Sequence, residues 1–445
     1  MAFVPIYILI LGFTILIDYF AGIYIENAKG HRRKLYLIFS LIANIGVLAV
    51  FKYYNFLNSN LTYFFNAFGK TNPIPYLSIL LPIGLSFHTF QAMSYTIEVY
   101  RANQKAERHF GIYALYVMFY PQLVAGPIER PQNILHQFRE QFDFNYDRVT
   151  SGLRLMAWGL FKKVVIADRL ATLVDAVYNN PHHYNSFSLI VATVFFTIQI
   201  FCDFSGYSDV AIGTARIMGF TLMTNFNNPY QSKSISEFWK RWHISLSTWF
   251  RDYLYISIGG NRVSIPRWYF NLFIVFLVSG LWHGANWTFV VWGALHGFYL
   301  VFALATKNIR GKISTKMYID NVPFLDTIIT FLLIAFAWIF FRANDINSAI
   351  YISTHIFTGI PSLIHKLKTH VPIWEFMEFG KGYFICSLLL ILFLETIHYL
   401  QSKINIGAFF IRKPTQVRWI IYLGIVAAIV LLGVFEERQF IYFQF

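Results

Sequence analysis

The stretch YFNLFIVFLVSGLWHGANWTFVVWGALHGFYLVFALA, Tyr269–Ala305, decides the fold. It contains no Asp, Glu, Lys or Arg and divides into two apolar runs, Tyr269–Gly284 and Trp287–Ala305. Each is close to the roughly 20 residues that a helix needs to cross a bilayer. At the join sits SGLWHGANW, Ser279–Trp287, with His283 inside otherwise apolar sequence. An imidazole at membrane depth is costly and is a functional candidate by default.

Working outward, eight further runs carry the same signal: Phe3–Phe20, Leu35–Leu57, Tyr76–Val99, Gly152–Val177, Phe187–Ile212, Leu325–Phe341, Tyr383–Leu400 and Trp419–Phe435. Ten spans are therefore expected. The first lacks the early basic patch and small-residue cleavage site of a secretory signal, and reads as a retained span. Composition agrees: 56% of the 445 residues are hydrophobic, 20% aromatic and 13% charged, about half the charged share of a soluble domain. That much apolar surface excludes a soluble enzyme, a disordered chain and a disulfide scaffold. Cys202 and Cys386 both lie in apolar runs with no metal-ligand spacing, so neither a disulfide framework nor a metal site is expected. No internal repeat or low-complexity linker divides the chain. The expectation is an all-α polytopic membrane protein with a single domain over residues 1–445.

The net charge of +14 has a plain reading in such a chain: basic loops hold the cytoplasmic side, and nucleic-acid binding is not implied. Lys29, Arg32, Arg33 and Lys34 follow the first span, whereas Asn58–Pro75 after the second has Lys70 as its only charge. The alternation continues to the end of the chain and places both termini outside the cytoplasm. The exception is Arg342–Lys381, whose Lys366, Lys368 and Lys381 fall on the outer side in a segment long enough to form a small external layer.

Two apolar stretches do not fit as spans. Gly111–Ala125 is short, and Pro121, Gly126, Pro127 and Pro131 interrupt its region, which suits a re-entrant hairpin buried in protein. Ser236–Ile258 is aromatic but carries Glu237, Lys240, Arg241, His243, Arg251 and Asp252, and reads as an amphipathic interfacial or re-entrant element.

That second element holds the densest chemistry. On a continuous helix Glu237 pairs with Arg241, and Trp239 shares a face with His243. Cations beside a histidine in aromatic surroundings suit an anionic ligand such as a cofactor pyrophosphate. Spacing alone favours the plainer reading, a helix whose tryptophans anchor at headgroups and whose cations meet lipid phosphates. For His283, an unperturbed pKa near 6.5 suits a base at neutral pH; a packed, hydrogen-bonded histidine is the equal alternative. His296 lies thirteen residues on, roughly 220° around and about 20 Å along an unbroken helix; Gly284 and Asn286 can break that helix, yet His296 reads as a packing residue or a support for the site and ranks below His283. Asp203 and Asp209 are six apart, about 240° around a helix, and do not form a paired-carboxylate site. Each is expected to find its own partner, although an ion path through them keeps a transporter or flippase open. His88 and Gln91 are further intramembrane polar groups. There is no Walker loop, HExxH motif or nucleophile elbow.

Several segments together resemble the membrane-bound O-acyltransferase superfamily, in its bacterial alginate O-acetyltransferase branch. They are YPQLVAGPIER (Tyr120–Arg130), CDFSGYSD (Cys202–Asp209), FWKRWHISLSTWFRDY (Phe238–Tyr253), GLWHGANWTF (Gly280–Phe289), WGALHG (Trp292–Gly297) and the terminal FIYFQF (Phe440–Phe445). The resemblance implies a helical bundle around a central tunnel, with re-entrant elements thinning its middle. It places His283 at the position of the superfamily's catalytic histidine and His243 at that of its less strictly required partner. Trp239, Lys240, Arg241, Arg251, Trp282 and Asn286 are then expected to bind the donor or line the tunnel, with His296 and Asp203 secondary.

The activity implied is transfer of an acetyl group from cytoplasmic acetyl-CoA to hydroxyls of an extracytoplasmic polysaccharide, directly or through a periplasmic partner acyltransferase. The expected setting is the bacterial inner membrane, in contact with lipid and with no permanently bound cofactor. Peptidoglycan O-acetylation, or D-alanyl transfer to teichoic acid from a carrier-protein thioester, is the alternative within the superfamily.

Overall fold

In hydrocarbon a lipid-exposed chain keeps its backbone polar groups paired only as a helix or a closed barrel. This chain takes the first route. The computed structural model describes residues 7–78, 84–124, 126–316, 324–370, 378–404 and 406–436, with 322, 372, 376, 440 and 441, and no strand occurs among them. Each of the ten expected spans falls on a long helix. These are α1 (Tyr7–Asn27), α2 (Gly30–Ala67), α3 (Leu85–Tyr100), α4 (146–179), α5 (Ser186–Met218), α6 (Ile265–His283), α7 (Trp287–Ala305), α8 (Leu325–Arg342), α9 (Lys381–Lys403) and α10 (Thr415–Leu432).

Eight of the ten, all but α3 and α4, are long and apolar enough to cross a membrane, which makes the chain a multi-pass membrane protein. α3 has 16 residues and is mostly buried against protein; residues 79–83 of that expected span, like 3–6 of the first and the terminal 442–445, lie outside the described residues. α4 is long but carries Arg148, Arg154, Lys162, Lys163, Asp168, Arg169 and Asp175. Its middle turn, Phe161–Ala167, is a π-helix.

The 33-residue α5 is the centre of the bundle. It packs closely on α4 because glycines face glycines at two levels. A Cβ at Gly206 would lie 2.7 Å from the Gly159 carbonyl oxygen, and one at Gly213 would lie 2.7 Å from that of Gly152. Such small-residue contacts are how membrane helices approach without a hydrophobic drive between them. Around α5 one apolar cluster joins α4, α7, α8 and the elements that hold the candidate site, and it includes Phe196, Phe204, Trp242, Trp292, Trp338 and Phe341. α10, by contrast, has no buried residue along its length and presents apolar side chains all round.

The two stretches that fitted no span are short and broken. Phe110–Met118 is a helix followed by a 3-10 turn at Tyr120–Gln122; one face, with Tyr113, Tyr116 and Val117, is buried against protein, while Phe110, Leu115, Met118 and Tyr120 are exposed, so the expected full burial is not met. The Tyr116 hydroxyl there lies 3.1 Å from the carbonyls of both Gln91 and Glu129 and shares its one proton between them. The segment after α8 forms two short helices, Ile346–Thr358 and Ile360–Lys368.

Candidate active site

The expectation of a continuous helix through Ser236–Ile258 does not hold. The chain forms Ile235–Arg241, breaks, resumes as Ile244–Trp249 and ends in a π-turn at Phe250–Tyr255. The break is at His243, whose φ of 42° and ψ of 56° lie in the left-handed region. A non-glycine residue held there costs about 1 kcal/mol or more and persists only where its surroundings over-determine it. Here the extended stretch before Pro229 does so. Asn227 N–H donates to the Arg241 carbonyl and Ile244 N–H to the Asn225 carbonyl, both at 2.9 Å.

The Asn225 side chain completes the hold. Its Oδ1 accepts from the backbone N–H of Ser245 at 3.3 Å and from Ser245 Oγ at 2.9 Å, and lies 3.0 Å from His243 Nδ1. A backbone N–H can only donate, so the atom it meets is the amide oxygen, and Nδ1 of His243 must carry the proton. The neutral ring therefore keeps its lone pair on Nε2. His243 is 1% exposed and sits among the rings of Phe204, Phe226 and Phe87, with centroids at 4.5, 6.4 and 6.2 Å. Burial holds its imidazole well below the ordinary histidine range, so it is neutral at pH 7. Asn225 was not singled out by sequence reasoning; the signal was an amide-rich stretch, TNFNN, ahead of a proline.

His283 ends α6. Gly284 is extended, and α7 starts at Trp287 after Asn286, whose Oδ1 accepts from Thr288 N–H as an N-cap at 3.1 Å. α6 and α7 thus form a hairpin, and the separation computed for an unbroken helix does not apply. The ring of Trp292 lies 5.0 Å from His283 and 4.8 Å from His296, so one indole separates the two imidazoles. The hairpin is closed by glycine: a Cβ at Gly280 would clash with the Phe289 carbonyl and one at Gly293 with that of Phe276. From Trp292 the rings continue through Trp338 at 5.8 Å, Trp242 at 5.1 Å from Trp338, and Phe226 at 5.1 Å from Trp242, ending on His243. A continuous aromatic wall joins the two candidate histidines.

The other expected site residues separate into two groups. Trp239 does not share a helical face with His243; its indole N–H donates to His296 Nδ1 at 3.2 Å, which ties the broken element to α7. Trp282 stacks on Phe90 at 3.5 Å, and Phe90 on Trp249 at 3.8 Å. Asn286 also donates to the Asn344 carbonyl at 3.2 Å. Of the cations, Arg241 pairs with Glu237 at 2.7 Å, as the spacing predicts, and Arg251 pairs with Asp252 at 2.6 Å, whereas Lys240 is exposed. Asp203 is paired with Lys163 at 2.6 Å and accepts from the Ile441 N–H at 2.8 Å. Asp209 pairs with Lys162 at 2.7 Å. Each carboxylate has its own lysine, as expected, and this leaves little to support an ion path. Among the described residues no group of three or more His, Cys, Asp or Glu could hold a metal ion.

A family model described as "MBOAT, membrane-bound O-acyltransferase family" matches residues 107–343, which include His243, His283 and His296. The chain is 41% identical over 346 residues to the "Probable alginate O-acetylase AlgI" of Pseudomonas aeruginosa, covering 77% of this chain and 64% of that protein. It is 37% identical over 371 residues to the "Peptidoglycan O-acetyltransferase" of Helicobacter pylori, covering 77% and 69%. Against the "Teichoic acid D-alanyltransferase" of Bacillus subtilis it is 27% identical over 227 residues, covering 48% and 56%. The chain spans just under two thirds of the length of the alginate relative.

Proposed function

Since the chain belongs to the membrane-bound O-acyltransferase family, we propose that it passes an acetyl group from acetyl-CoA on the cytoplasmic side toward hydroxyls of an extracytoplasmic polysaccharide. The transfer is direct or runs through a periplasmic partner acyltransferase, in the bacterial inner membrane with both termini outside the cytoplasm. The observation that carries this reading is the α6–α7 hairpin. It holds His283 at a helix end, buried, beside an aromatic wall that leads to His243.

His283 is the general base. It takes the proton of the acceptor hydroxyl as that oxygen attacks the thioester carbonyl carbon. The C–S bond then breaks, and the proton passes to the coenzyme A sulfur. His243, with its proton held on Nδ1 by Asn225, offers Nε2 to relay a proton or orient the acceptor. We assign the donor phosphates to Lys240, which is exposed, whereas Arg241 and Arg251 pair with carboxylates. Acetyl is preferred to D-alanyl because the relatives at 37–41% identity that cover 77% of the chain carry acetylase or acetyltransferase names, whereas the D-alanyltransferase reaches 27%.

The test is O-acetyl content of envelope polymers in cells that carry the parent or His283→Ala, with the membrane level of each protein measured. His283→Ala is expected to abolish the O-acetylation that depends on the gene. Normal O-acetylation by that variant at normal membrane level refutes the role.

A further inference from the structure

A helix that ends inside protein leaves its last four carbonyls without intrahelical partners, and at membrane depth water is not there to replace them. At the end of α6 all four are met. Gly284 N–H turns back to the Gly280 carbonyl at 3.4 Å. The Tyr53 hydroxyl donates to the Leu281 carbonyl at 2.5 Å. Lys52 Nζ donates to the carbonyls of Trp282 at 2.7 Å and of His283 at 2.8 Å. Three of the four partners therefore come from two adjacent residues, 228 to 231 positions away in the chain.

Both residues lie in a π-helical turn, Ala49–Tyr53, inside the otherwise α-helical α2. Successive side chains of a regular α-helix diverge by about 100°, yet these two converge on three consecutive carbonyls. Lysine within a lipid-spanning segment is expensive. The end of a helix where carbonyl dipoles accumulate is the place that best receives a cation.

We infer that Lys52, assisted by Tyr53, is a positioning residue for acyl transfer: it clamps the last turn of α6 and thereby fixes the His283 imidazole relative to donor and acceptor. This rests on His283 being the reacting base. Lys52 grips the backbone of His283 itself, immediately before the chain becomes extended at Gly284. It lies outside the residues that the family model matches.

The experiment measures transfer from radiolabelled acetyl-CoA in native membranes, with kcat normalised to the amount of protein and KM for acetyl-CoA determined separately. Lys52→Met is expected to lower kcat roughly 100-fold at unchanged KM, the size of effect that a misplacement of about 1 Å produces. Lys52→Arg, which can still donate to two carbonyls, recovers most of it. Tyr53→Phe, which loses one of the three contacts, falls between, and it decides the matter if Lys52→Met does not accumulate. Parental kcat in Lys52→Met, or in Tyr53→Phe where that variant decides, beside an inactive His283→Ala overturns the inference and leaves the proposed function standing. So does a loss that Lys52→Arg fails to recover, because that marks a purely structural lysine. An active His283→Ala overturns the proposed function, and this inference with it.

Discussion

Replacing Gly280 by alanine tests whether the hairpin geometry carries the activity. A Cβ at Gly280 would fall within 3.0 Å of the Phe289 carbonyl oxygen and 3.1 Å from both Cα and N of Gly293, where ordinary contact begins at 3.4 Å. The obstacles are backbone atoms, which cannot swing aside as a long side chain would. α7 must therefore retreat by about half an ångström or more, in a bundle packed as densely as an organic crystal. Overpacking of this kind typically costs about 1–3 kcal/mol. Gly280 is three residues before His283, and Gly293 adjoins Trp292, whose ring touches His283 and His296. The displacement thus falls on the candidate base and its wall together, and kcat should drop about tenfold or more at unchanged KM for acetyl-CoA. The assay is acetyl transfer per molecule in membranes, with thermal inactivation measured in parallel. Gly424→Ala is the control: nothing lies within 4 Å of the added carbon, on a helix with no buried residue. Parental turnover in Gly280→Ala, or equal damage in Gly424→Ala, refutes the reasoning.

Asn225→Ala removes the acceptor that holds His243 Nδ1 and both donors of Ser245. Stranding the buried Ser245 N–H should cost about 1–3 kcal/mol, and turnover should fall as the imidazole loses its tautomer; unchanged turnover would show that the amide does not orient the ring. Lys162→Met strands Asp209 and removes the donor to Ser205 Oγ. A lowered thermal midpoint is expected, on the scale of the roughly 1.5–3 kcal/mol that a hydrogen bond to a charged group contributes, since Asp209 is only partly buried, and adding Asp209→Asn should restore most of it. No recovery in the double variant would mean that the lysine stabilises through something other than that carboxylate.

The long helices were legible because a bilayer leaves little choice: a run of about 20 apolar residues has one way to pair its backbone. Their packing was legible only in part. Glu237 and Arg241 pair as an (i, i+4) rule predicts, since both lie in one short helix. Trp239 and His243 do not, because periodicity carries no sign of a residue in the left-handed region unless glycine or asparagine stands there, and here it is His243. The approach of His283 and His296 through Trp292 was not legible for a related reason. Gly284 and Asn286 warned of a break, but how sharply α7 folds back depends on the Gly280–Gly293 contact, which is tertiary. Lys52, Lys162 and Lys163 were readable in principle. Each is a cation inside an apolar run, and intramembrane cations call for named partners.

Those lysines share a further property that bears on how such a site is built. All three lie in π-turns, Ala49–Tyr53 and Phe161–Ala167, and a third π-turn, Phe250–Tyr255, carries Arg251 and Asp252. A π-turn inserts a residue into a helix and is frequent at functional sites. The candidate histidines stand where helices stop, His283 at the end of α6 and His243 between two short helices. Stopping a helix in the middle of a membrane protein exposes carbonyls that only other parts of the protein can satisfy. Lys52 and Tyr53 do so at one break, and the stretch containing Asn225 and Asn227 at the other. Support and site are therefore one structure: a substitution that frees a carbonyl at either break should move the adjacent histidine before it unfolds the bundle. Loss of turnover at retained membrane level is the expected signature of the supports, and uniform loss of protein that of ordinary core positions such as Phe195 or Phe196.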